Sequence, residues 1–163
     1  MKWIFSFSAL SLLAACQPAK QEFNGREASY ALTPGSAHAI SGSVDFKEKP
    51  DGATEVKITL KGTDGRQKLP VHLHFGDVST TGAPVALLLS PVDAQTGISV
   101  TRVTRLADDT EIDFEKLLKL AACVKIHLSD AGEESNIILA AGNIGANGSR
   151  MKPGAEISLC QSK

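Results

Sequence analysis

Short runs in which apolar and polar residues alternate recur along this chain, separated by turn residues. In "HAISGSVDF", Ile40, Gly42, Val44 and Phe46 fall on one face. In "TEVKITLKG", Val56, Ile58 and Leu60 oppose Glu55, Lys57, Thr59 and Lys61. A period of two is what a strand with one buried face requires. Between the two runs, Lys49 to Gly52 reads as a tight turn with proline at its second position. The runs "LPVHLHF", "APVALLLSPV", "ISVTRVTRL", "CVKIHLS", "SNIILAAGNIG" and "AEISLC" follow. About eight strands at this spacing predict an all-β sandwich or barrel.

One stretch breaks the alternation. "DDTEIDFEKLLKLA" carries Phe114, Leu117, Leu118 and Ala121 at helical spacing, with Asp113 placed as an N-cap. It predicts a single short helix crossing from one sheet to the other. Its acids Asp108, Asp109, Glu111, Asp113 and Glu115 read as a solvated helix start favoured by the macrodipole rather than as acid–base machinery.

The amino terminus has a different pattern. Lys2 precedes an apolar run from Trp3 to Leu13, and small residues end at Leu13-Ala14-Ala15-Cys16. The run is a secretory signal, too short to span a bilayer stably. Its ending resembles the lipobox of bacterial lipoprotein signals. That resemblance implies cleavage before Cys16, acylation of Cys16 and attachment to the membrane through lipid. Gln17, rather than aspartate, follows the lipidated cysteine, which favours the outer membrane by analogy with enteric bacteria. Residues 1–15 are thus expected as signal, 16–36 as a lipidated tether and 37–163 as the folded domain.

Charge narrows the partners. Lys and Arg number 17 against 18 Asp and Glu, so no basic field draws nucleic acid. Gly-rich phosphate loops and serine-nucleophile motifs are missing from the sequence, as is an Asp-x-Asp-x-Asp-Gly calcium pattern near Asp130, Glu133 and Glu134. With Cys16 lipidated, Cys123 and Cys160 remain. Strand parity turns both outward, so a disulfide worth about 3–5 kcal/mol is one reading in an oxidising compartment, and two free thiols the other.

The motif order resembles a CHRD domain, the module named after chordin. "ISGSVDF" and "EVKITLKG" are followed by the His-x-His strand "VHLHFGD", then "APVALLLSPVDAQTGIS", "CVKIHLSDAG" and "NIILAAGNIG". The resemblance covers about Ala37 to Ala146 and implies an antiparallel Greek-key β-sandwich with no assigned activity. The expected function is therefore a noncatalytic, lipid-anchored binding or scaffold module of the cell envelope.

A more distant similarity is to copper/zinc superoxide dismutase, through "HLHFGD", "KIHLSDAG" and "GNIG". By motif it carries copper ligation onto His72, His74 and His127. The chain has four histidines, none between 75 and 126, where that family's bridging and zinc-loop ligands lie. Ser135-Asn136 stands where the family has its anion-guiding serine–arginine pair. Dismutase activity is disfavoured on both counts. The surviving alternative is a copper- or zinc-binding protein using His72, His74 and His127, with Asp77 or Asp130 orienting the rings. Imidazole nitrogens within about 4 Å of one another would favour it; outward histidines that merely face water are the competing reading. His38 is not part of the expected set.

Overall fold

The structure, a computed structural model, describes residues 25–151. Cys16, Cys160, the expected signal and the "AEISLC" run lie outside the described residues. The strands are β1 (Glu27–Pro34), β2 (Ser41–Glu48), β3 (Thr54–Lys61), β4 (Lys68–Phe75), β5 (Val85–Asp93), β6 (Ile98–Val103), β7 (Ala121–His127), β8 (Ile138–Gly145) and β9 (Arg150–Met151). Among the described residues one α-helix, α1 (Phe114–Lys119), links β6 to β7, and a 3-10 turn, Glu133–Asn136, lies between β7 and β8.

Neighbours run in the order β2-β3-β6-β5-β4-β7-β8-β1, and β1 pairs back onto β2. The sheet therefore closes into an antiparallel barrel, where the resemblance implied a Greek-key sandwich. The connections from β3 to β4 and from β6 to β7 skip strands in the manner of a Greek key. Closure is sparse at two seams. Only Asp93↔Ile98 joins β5 to β6, and only Thr33↔Ala141 and Pro34↔Ala140 join β1 to β8. These pairs suffice to carry the ladder around both margins, which is what makes the shape a barrel.

The expected tether is also corrected in part. Residues 27–34 form β1, with Tyr30 and Leu32 fully buried and a ladder to β2 from Glu27↔Lys47 to Leu32↔Gly42. The polar residues and Pro34 obscured an alternating strand that closes the barrel.

The interior follows the alternation elsewhere. Val44, Phe46, Val56, Ile58, Leu60, Val71, Leu73, Val124 and Ile126 are all buried in one core. Phe114 and Leu117 of α1 plug into the same core, and Asp113 caps the helix by accepting from the Lys116 backbone N–H at 2.8 Å. Strand β6 reverses the obvious parity. Val103 and Ser99 face inward, so Ile98 and Val100 are turned to solvent, at 40% and 50% exposure. A period of two leaves no register that buries both sets.

Candidate metal centre

Strands β4 and β7 are adjacent and antiparallel, with His72 opposite Lys125 and His74 opposite Cys123. Residues that face one another across a ladder share a face, so His72, His74, Cys123, Lys125 and His127 project from the barrel's outer side. Two local irregularities adjust the aim. The β4–β5 ladder shifts register between Leu73 and His74, and the β7–β8 ladder shifts between Ile126 and His127. Such bulges bend a strand and redirect a side chain, and each here sits at a histidine.

The three rings converge. Ring centroids lie 4.5 Å apart for His72 and His127, 5.7 Å for His72 and His74, and 6.2 Å for His74 and His127. One ring nitrogen from each falls within 4.8 Å of the others. Nitrogens sharing one ion at about 2.0–2.1 Å are at most about 4 Å apart. In a tetrahedral site the nitrogens lie about 3.4 Å apart, so the cluster, within 4.8 Å, has to close by up to about 1.5 Å to hold one ion. Among the described residues no hydrogen bond holds the His72 ring, which leaves it free to make up that distance.

The other two rings are held. His74 Nδ1 lies 2.8 Å from the Ala83 carbonyl and His127 Nδ1 lies 2.7 Å from the Ser135 carbonyl. A carbonyl only accepts, so both Nδ1 atoms carry a proton, and in the neutral ring the lone pair then lies on Nε2. Those two Nε2 atoms are buried and have no hydrogen-bond partner. An unpartnered buried acceptor costs about 1–3 kcal/mol, a cost that coordination to a metal removes. The pattern matches the usual one in which a metal-binding histidine donates its second ring nitrogen to an outer partner.

Electrostatics keep His72 and His74 in their ligating form. Burial, then the neighbouring His127 and His74, push the His72 imidazole below the ordinary histidine value. Burial does the same for His74, against the opposing hydrogen bond its Nδ1 donates to the Ala83 carbonyl, and Lys125 and His127 add to the lowering. Both rings are therefore neutral near pH 7, as ligands must be.

The cover was not foreseen. Residues 77–83 fold over the outer face, so that His74 and Cys123 are buried although parity turns them outward. Burial raises the Cys123 thiol above its usual range, keeping it protonated. His72 stays half-exposed and borders a groove of about 240 Å³ with Pro70, Leu88, Pro91, Lys68 and Asp130. Of the three histidines, His72 alone lines that groove.

Neither acid expected to orient the rings does so. Asp77 Oδ1 instead accepts from the Ser79 backbone at 2.8 Å and from its hydroxyl at 2.5 Å, shaping the covering loop. Asp130 is exposed at the groove. Backbone carbonyls take the orienting role, and they have no side-chain signature in a sequence. The acids before α1 are structural: Asp113 caps, Glu111 pairs with Arg105, and Glu115 pairs with Arg26. His38 lies apart, bordering a small pocket with Ile40, Asp64 and Leu139.

No protein-family model matches this chain, and no curated protein matches it significantly.

Proposed function

We propose that this protein is a noncatalytic metal-binding domain of the bacterial cell envelope, holding copper or zinc through His72, His74 and His127. The observation that carries the reading is the pair of buried, unpartnered Nε2 atoms, each on a ring whose Nδ1 donates to a carbonyl. A set of three neutral imidazoles suits copper or zinc and leaves one coordination position open. The metal would supply binding affinity; the chain supplies tautomer, orientation and a covered, water-poor face. The lipobox-like Leu13-Ala14-Ala15-Cys16 supports attachment through lipid at Cys16, and the motif order supports a CHRD-type module.

Titration of the metal-free chain with Cu(II) and Zn(II), repeated on His72→Ala and His127→Ala, tests the reading. One tight equivalent in the native chain that is lost in both variants supports it. Equal weak binding in all three proteins sinks it.

A second reading, a scaffold module without metal, draws on the outer face of β5 and β6. Val85, Leu88, Ile98 and Val100 are exposed there, Leu88 at 64%. Unchanged partner capture by a chain lacking all three histidines would favour it.

A further inference from the structure

The covering loop lies over a straight row of side chains, His74, Cys123 and Asn143, which face one another across β4, β7 and β8. Its own side chains contribute little burial, since residues 78–82 are exposed and only Ala83 is buried. Polar attachments hold it instead. It leaves β4 where the Gly76 N–H meets the Ala121 carbonyl at 2.9 Å. At its far side the Val78 N–H donates to Asn143 Oδ1 at 2.8 Å. Lys125 Nζ adds a longer bond, 3.4 Å, to the Thr80 carbonyl. On its return the Ala83 carbonyl accepts from His74 Nδ1 at 2.8 Å.

The ring of His74 is thus oriented by a carbonyl on a loop whose short side-chain anchor lies two strands away. We propose that Asn143 is a positioning residue for the metal centre, acting through the 77–83 strap and the Ala83 carbonyl on His74. The inference rests on the three-histidine reading. His127 takes its orientation from Ser135, on a different segment, so loss of Asn143 disturbs one ring and spares the other. Cys123, buried under the same strap, reports whether the strap is seated.

Asn143→Ala and Asn143→Asp test this in the full chain with Zn(II) as the probe. Asn143→Ala lowers Zn(II) affinity by about tenfold, the low end of the range for loss of a ligand's outer partner, because it displaces that partner rather than removing it. It also removes the hydrogen-bonded His74 Nδ1–H resonance while that of His127 persists, and it speeds alkylation mapped to Cys123. Asn143→Asp, which retains an acceptor for Val78, restores all three readouts. If Asn143→Ala binds Zn(II) within a factor of about two of native and keeps the His74 resonance, the inference is overturned and the metal reading stands. Loss of both Nδ1–H resonances in Asn143→Ala means general unfolding and also overturns it. A native chain that takes up no Zn(II) or Cu(II) removes the metal reading and this inference with it.

Discussion

The rings of His72 and His127 lie 4.5 Å apart, centroid to centroid, although 54 other residues separate them in the chain. Their meeting depends on β4 and β7 being hydrogen-bonded neighbours in the barrel. On the three-histidine reading each histidine supplies one ligand. His127→Ala is expected to weaken Cu(II) or Zn(II) binding by more than the 10–100-fold typical of losing an outer partner. Competition titration against a chelator of known affinity measures it.

Acid is expected to destabilise the metal-free protein. His72 and His74 are held below the ordinary value of 6.5 in the folded state. As pH falls below about 6.5 the unfolded chain therefore takes up protons before the folded one does. The stability these groups contribute is present above pH 6.5 and is lost as pH falls through their lowered folded values. Melting of the metal-free chain between pH 7.5 and 5 (conditions of about this range suffice) should show that decline, and His72→Gln/His74→Gln should flatten it.

Alternation in β4 separates folding from binding. Leu73 points into the core at 3% exposure, between two histidines on the outer face. Leu73→Ala should cost about 2–5 kcal/mol by chemical denaturation, the range for a buried leucine. His72→Ala, at the half-exposed neighbour, should cost less than about 1 kcal/mol while lowering metal affinity.

The cap of α1 gives a smaller effect on stability alone. Asp113 accepts from the Lys116 N–H at 2.8 Å and starts the helix that seats Phe114 and Leu117 in the core. Asp113→Ala should lower stability by about 0.5–2 kcal/mol, with metal titration unchanged. A change in metal affinity would link α1 to the centre and contradict the separation described above.

Much of the architecture was legible in the chain because a period of two is a local property. The alternation of Val56, Ile58 and Leu60, or of Val71 and Leu73, marks a buried face before any partner strand is known. Asp113 was readable as a cap for the same reason, since a helix start needs an acceptor within its own first turn. β1 was not legible: a short strand among polar residues is recognisable only from its pairing with β2 and β8. β6 misleads, because Ile98 and Val100 look like core residues and yet the register that buries Val103 exposes them.

The sequence alone determined which residues are candidate ligands: His72 and His74 on one outward face, and His127 with the same parity on another strand. It also determined that the wider dismutase ligand set is missing, since no histidine lies between 75 and 126. Tertiary structure decided the rest. Only the barrel order makes β4 and β7 neighbours, only the bulges redirect His74 and His127, and only the strap buries an outward face. The orienting groups are the carbonyls of Ala83 and Ser135. Every residue has a carbonyl, so its role is set by where the folded backbone places it, not by the residue's identity.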